Sequence, residues 1–405
     1  MVYKACKNWC IAAPQEADAP GVTVQTPFAP LVLLHPGDPL TSRGVYAIDS
    51  LSQMGQESVE TLLPGTVQAG ALSDFVACHG ATVLNPAFSG AWEYLQSLEA
   101  APRHGLRLTL VGLGDVGAAV LTGLKLLGHE LRQIRIFDPN EALCRRYELE
   151  LNQILSPDER DLPEVAVCPP EQLFDCDLFL FAATRGIPSP KTGKDVRMAQ
   201  FEANRAMLKG YARRARASRF KGLFCIISDP VDHLCRSVFL ESNRDERGKA
   251  DFMGLLPEQL QGFGLGVMAA RARYAARERG LPTEKVRVYG PHGAGLVVAN
   301  APGRNYDPGL SQLLTEATRT MNLRIRDLGF KPYIAPGLSS AAVSVLRLIR
   351  GQRHYGAIPL GGAYFGCESW MTPRGIRIFR ENLHPALLDR ISDAHRQLQT
   401  FPYDT

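Results

Sequence analysis

Gly112, Gly114 and Gly117 in VGLGDVG stand at G-x-G-x-x-G spacing, and each has its own task around a bound pyrophosphate. The first permits a tight turn, the second lets a phosphate approach the backbone, and the third lets a helix pack close to the preceding strand. Leu113, Asp115 and Val116 belong to the same cradle, because amides at the start of that helix face the phosphates. Asp138 closes the next apolar run, where a carboxylate accepts both ribose hydroxyls and repels a 2′-phosphate, favouring NAD over NADP. The competing reading of the glycines is a structural βαβ unit that binds nothing. Far downstream, His292 in YGPHGAG sits between small residues that let a substrate approach. An imidazole titrates near neutrality, so it serves as base in one direction of a reaction and as acid in the other.

Positioning these residues requires a strand over Leu106–Val111, a helix after the glycines and a strand over Ile134–Phe137. Glu141–Leu155 has helical periodicity, whereas the runs beginning at Asp177 and Gly222 read as buried parallel-type strands. Between those strands, TRGIPSPKTGKDVR lacks periodicity and reads as a lid beyond a strand's carboxyl end. The helix over Met198–Arg219 carries Arg205, Lys209, Arg213, Arg214, Arg216 and Arg219, which we read as a solvated face and not as a nucleic-acid patch. A long helix contains ARARY, and further helices are expected over Pro308–Gly329, Ser339–Arg350 and His384–Leu398, with strands near Ala357–Leu360 and Arg374–Ile378. The first 104 residues are richer in Pro and Gly. They predict strands over Val22–Gln25, Leu31–Leu34, Gly44–Ile48 and Ala81–Leu84 and a helix over Ser89–Ala100, while His35, Asp38, Asp49 and His79 read as loop residues without a catalytic task.

With 405 residues, 45% hydrophobic and 21% charged, the chain has ordinary globular composition and room for two or three domains. A formal charge of +4 gives no case for nucleic acid. No apolar run reaches membrane-spanning length and no signal peptide is visible near Met1, so a cytoplasmic protein is expected. The nine cysteines are scattered singly and do not read as a disulfide framework. Cys6 and Cys10 form the one close pair, without the companion ligands a metal site needs, so no metal is expected.

From about residue 105 to 400 the chain resembles the lactate/malate dehydrogenase superfamily. VGLGDVG, FDPN, the TRGIP loop, FEAN, ISDPVD, ARARY, YGPHG and PGLSSAAVSVLRLI follow one another in the family's order. The resemblance implies that His292 exchanges a proton with the substrate oxygen while hydride moves to or from nicotinamide. It places the carbonyl-polarising arginine of the lid at Arg197 and the carboxylate-clamping arginine at Arg271, whose planar fork suits bidentate binding. Thr184, opening the TRGIP loop, joins the cofactor set, and Arg273 faces another side of its helix. In two places the chain leaves the family. Met268 stands where an aspartate orients the histidine, and Asp229 stands where the N-P-V-D loop has asparagine. Our hypothesis is that Asp229 supplies the displaced carboxylate, which requires it within about 6 Å of the ring; decay of catalysis is the rival explanation. The lid is about two residues longer than usual, so Ser189, Lys191 and Lys194 are alternative substrate readers. Arg185 either meets the pyrophosphate or points to solvent.

The implied architecture is α/β: a small accessory region over 1–104, a Rossmann-type doubly wound parallel sheet over 105–235, and an α+β substrate domain over 236–405. The implied function is NAD-dependent interconversion of a 2-hydroxy acid and a 2-oxo acid, in a homodimer or homotetramer whose ligands are small carboxylic acids. A non-catalytic NAD(H)-binding sensor or assembly protein is the alternative. An NAD- and metal-dependent glycosidase is disfavoured, because no Cys/His ligand set stands at the site loops.

Overall fold

The computed structural model describes the chain except residues 16–17, 67, 101–103, 157–160, 185–195 and 404–405, and the side chains of 196 and 197. The first part contains β1 (Val2–Cys6), β2 (Trp9–Ala13), β3 (Val22–Val24), β4 (Leu31–Leu34), β5 (Val45–Ile48), α1 (Ala71–His79), β6 (Ala81–Leu84) and α2 (Ala91–Ala100). Next come β7 (Leu106–Val111), α3 (Asp115–Leu127), β8 (Leu131–Phe137), α4 (Glu141–Leu151), β9 (Glu164–Val167), β10 (Leu178–Phe181), α5 (Val196–Ala217), β11 (Leu223–Ile226), α6 (Val231–Ser242) and β12 (Leu260–Gly262). The last part has α7 (Leu265–Arg277), β13 (Arg287–Tyr289), β14 (Val297–Ala299), α8 (Pro308–Asp327), a π-helical stretch Pro336–Ala342, α9 (Val343–Ile349), β15 (His354–Leu360), β16 (Ala363–Thr372), β17 (Gly375–Ile378) and α10 (Pro385–Gln399).

β9-β8-β7-β10-β11-β12 are adjacent in that order and parallel throughout. The order reverses direction between β7 and β10, which is the switch point of a doubly wound sheet, and ligands bind beyond the strand ends there. β10 and β11 are apolar runs, as expected where helices cover both faces of such strands. β12 then pairs antiparallel with β15 at Gly262 and Ala357, and β15, β16 and β17 form an antiparallel meander.

The N-terminal strands lengthen this sheet. Ile376 of β17 pairs with Tyr46 of β5, and the order continues β5-β6-β4-β2-β1-β3, giving fifteen strands in one sheet among the described residues. One hydrophobic cluster crosses the junction, joining Trp9, Ile11, Val32, Val45 and Leu84 to Phe181, Phe224 and Phe239. A polar contact crosses it as well, where the fully buried Glu258, just before β12, accepts the Gly44 amide at 2.8 Å; beside it, buried Arg43 pairs with Glu57 at 3.1 Å.

β1, β2 and α1 were not expected from the sequence. β1 and β2 surround the CKNWC segment, where the cysteine pair drew attention from a hairpin in which Cys6 faces Trp9 and Ala5 faces Cys10. β16 was also missed, since its Gly, Cys, Glu and Ser interrupt the apolar alternation. The expected helix over Ser339–Arg350 is part π-helix, part α-helix.

Candidate functional site

The glycine turn has the three geometries its spacing predicts. Gly112 has φ +95°, a backbone conformation that suits glycine, and a Cβ there would lie 2.5 Å from the Ala183 amide nitrogen at the end of β10. Gly114 has open space on its Cβ side, while a Cβ on Gly117 would fall 1.9 Å from the Gly112 carbonyl oxygen. Helix α3 begins at Asp115 without a side-chain cap at Gly114, so its first amides look outward, the arrangement an anionic ligand uses. Asp138 Oδ2 accepts the Leu113 amide at 2.9 Å and Oδ1 accepts the Asn140 amide at 3.0 Å. These bonds fix the carboxylate beside the turn, and its remaining lone pairs can still accept ribose hydroxyls. The residues present therefore fit a dinucleotide: an anion-ready helix start, an open second glycine and an oriented acid.

His292 stands beyond β13 on a loop that must cross β16 closely. Gly290 has φ +89° and donates its amide to the Gly366 carbonyl at 2.9 Å, and a Cβ on Gly366 would sit 2.2 Å from the Gly290 oxygen. Part of the glycine content of YGPHGAG thus serves backbone packing. Gly264, at the start of α7, performs the same service from the other side, because a Cβ there would lie 2.7 Å from His292 Cβ.

The imidazole Nδ1 of His292 lies 2.8 Å from Asp229 Oδ1. A carboxylate accepts, so the Nδ1 proton points at Asp229 and Nε2 is left for exchange with a ligand. Burial would lower the histidine's pKa, but the Asp229 charge and hydrogen bond outweigh it and hold the group above its ordinary value. Asp232, in the first turn of α6, accepts the His292 backbone amide at 3.1 Å. Burial raises the Asp232 pKa to about 7, against the pull of that amide and of the ring. Arg271 lies on α7, half-buried, with its Nη1 4.0 Å from the Met268 sulfur. Burial lowers its pKa and Asp229 works in the opposite direction, so guanidinium, carboxylate and imidazole share one electrostatic neighbourhood. Met268 is buried in the apolar cluster of α7. Arg273 is exposed.

Thr184 is exposed, and its hydroxyl donates to Asn204 Oδ1 at 3.3 Å. Fully buried Asn204 in turn donates to the Asp229 carbonyl at 2.7 Å, linking α5 to the loop that holds the acid. The sequence reading missed Asn204 and Asp232 as participants. The FEAN motif was the available signal for Asn204, whereas nothing in ISDPVD separates a buried Asp232 from a helix-start acid. The Arg197 side chain, Arg185, Ser189, Lys191 and Lys194 lie outside the described residues. Among the described residues, no group of three or more His, Cys, Asp or Glu could hold a metal ion, and no helix is long and apolar enough to cross a membrane. A cleft of about 250 Å³ between α5 and α6, lined by Arg205, Lys209, Glu241 and Tyr403, contains none of these site residues.

The strand order and the segments meeting at His292 define a doubly wound α/β fold with a histidine–carboxylate pair. No family model matches the sequence. L-lactate dehydrogenases of Mycoplasma pneumoniae and Treponema denticola are each 26% identical to it, over 191 and 208 residues, or 46% and 50% of this chain. The matches span 56% and 60% of those relatives, less than two thirds of either. Among solved structures, the minor L-lactate dehydrogenase of Enterococcus mundtii in its ligand-bound form superposes with TM-score 0.60 at 18% identity, covering 73% of this chain and 96% of that one. Malate dehydrogenase of Archaeoglobus fulgidus in complex with NADH gives TM-score 0.59 at 15% identity, covering 73% and 97%. The chain thus has the fold of lactate and malate dehydrogenases and is similar in sequence to L-lactate dehydrogenases over about half of its length.

Proposed function

We propose that the protein is an NAD-dependent dehydrogenase interconverting a 2-hydroxy acid and a 2-oxo acid. The contact between His292 Nδ1 and Asp229 Oδ1, in the neighbourhood of Arg271, is the observation that carries this reading. NAD, when bound, supplies the nicotinamide that accepts or gives the hydride. Gly112, Leu113, Gly114, Asp115, Val116 and Gly117 hold its pyrophosphate, Asp138 its ribose, and Thr184 lines its site. Arg271 binds the substrate carboxylate through its fork. His292 gives a proton through Nε2 to the carbonyl oxygen during reduction and takes it back during oxidation. Asp229 keeps Nδ1 protonated, orients the ring and favours the imidazolium, the part usually played by a neighbouring carboxylate. Arg197 polarises the carbonyl. The homologous dehydrogenases and the same-fold structures support this reading, as does the oriented Asp138 for NAD. We further propose a cytoplasmic homo-oligomer divided into a 1–104 region, a cofactor domain over 105–235 and a substrate domain over 236–405.

Met268 favours a second reading, an NAD(H)-binding sensor without turnover, since an apolar side chain fills the place of a catalytic aspartate. The two readings part in one experiment. Purified protein is given NADH and a panel of 2-oxo acids while nicotinamide absorbance is followed, with NADH binding measured separately. The enzyme reading expects oxidation of NADH that is abolished by both His292→Ala and Arg271→Ala. Tight NADH binding without turnover of any acid supports the sensor.

A further inference from the structure

The dinucleotide cradle has an electrostatic peculiarity. Asp115 is the first residue of α3, so its side chain stands at the helix end where a pyrophosphate would bring two negative charges. An acid at a helix start is favourable to the helix itself, but it opposes an anionic ligand at the same amides. Asp138 adds a second acid at the end of the neighbouring strand.

A distant part of the chain answers this. After α8, the residues leading into the π-helical stretch return over the start of α3, close enough that a Cβ on Gly337 would lie 2.6 Å from Ala119 Cβ and 3.0 Å from the Val116 carbonyl oxygen. From this segment Lys331 reaches Asp115, Nζ to Oδ2 at 3.0 Å. The lysine side chain is 82% exposed and the aspartate 50%. An ion pair so open to water contributes little to stability, and so folding gives no sufficient reason for it. Its place does. The pair stands at the first residue of α3, next in the chain to Gly114, whose Cβ side is empty.

We propose that Lys331 is a cofactor-phosphate ligand, held by Asp115 until a dinucleotide binds and then shared with the pyrophosphate. The inference rests on the cofactor reading above. The flexible stem lets the ammonium move from carboxylate to phosphate without backbone change, and its point charge suits either partner. Asp115 therefore acts as a parking site that keeps the cation at the cradle.

Direct binding tests this without turnover. NADH, ADP-ribose and adenosine are titrated calorimetrically into the full-length wild type, Lys331→Ala, Asp115→Asn and the double variant. ADP-ribose carries the pyrophosphate and adenosine does not. Lys331→Ala should weaken ADP-ribose and NADH by roughly tenfold, the size of one charge-assisted contact, with adenosine unchanged, and the loss should persist in the Asp115→Asn background. If Lys331→Ala binds ADP-ribose like the wild type, or if Asp115→Asn restores the loss, then Lys331 merely neutralises the acid and the proposal falls. A wild type that binds neither NADH nor ADP-ribose overturns the cofactor reading together with it.

Discussion

Asp229 and His292 sit 63 positions apart in sequence and 2.8 Å apart in space, and their contact has a definite pH signature. The histidine's pKa is raised by its partner, so the imidazolium that the proposed reduction calls for persists to higher pH than an isolated histidine would allow. A raised histidine adds stability that is complete below the unfolded value near 6.5 and is lost as pH climbs through the folded value. Asp229→Asn should therefore move the pH profile of 2-oxo acid reduction to lower pH and cut its rate by roughly ten- to a hundredfold at neutrality. Initial rates between pH 5 and 9 provide the check. In the same background, Met268→Asp returns an acid to the family's position, and partial recovery of rate is expected. The chemistry of this pair was readable in part. His292 stood out by its glycine-rich setting, and the double departure at 229 and 268 drew attention to the acid. Asp232 did not stand out, because burial rather than residue type makes it unusual.

Two glycines separate the cofactor element from the proton-transfer element. Gly117→Ala places a carbon 1.9 Å from the Gly112 oxygen, so α3 must move off β7 and NADH affinity should drop at least tenfold. Gly264→Ala instead presses on His292 at 2.7 Å. There, kcat should fall by about tenfold or more, because small misplacement of a reacting group is costly, while NADH affinity stays within about twofold of wild type. Calorimetric titration of NADH beside steady-state rates distinguishes the two outcomes. The fingerprint glycines were legible because a turn, an open face and a tight crossing demand them. The π-helical stretch was not, since PGLSSAA has no pattern that sets it apart from an ordinary helix.

At the scale of the whole molecule, the first hundred residues share a sheet and a core with the rest, and Glu258 is their buried clasp. Burial raises its pKa to about 7, although amides from its own segment, Gly44 and Val45 and the nearby Arg43 work against the shift. The folded protein therefore binds a proton here that the unfolded chain releases above about pH 4.5, and stability declines as pH rises from there through 7. Glu258→Gln keeps an acceptor for Gly44 without the charge, and should flatten that decline and raise stability at pH 8 by about 1–3 kcal/mol. Urea unfolding at pH 5 and pH 8 measures it. The alternating and apolar runs disclosed most strands of this region, including β4 and β6, yet not that they continue the main sheet. That depends on a pairing between Tyr46 and Ile376, and no local pattern encodes so remote a neighbour.

The same pairing dictates an order of events during synthesis. Asp49 next to β5 and its ion-pair partner Arg377 in β17 are 328 positions apart, so β5 can acquire this neighbour only after the residues between them have been translated. Until then the outer side of β5 carries unpaired backbone groups, a ready template for another chain. A nascent chain is accordingly exposed to aggregation at β5, and a chaperone that shields residues 45–48 would protect it until translation reaches β17.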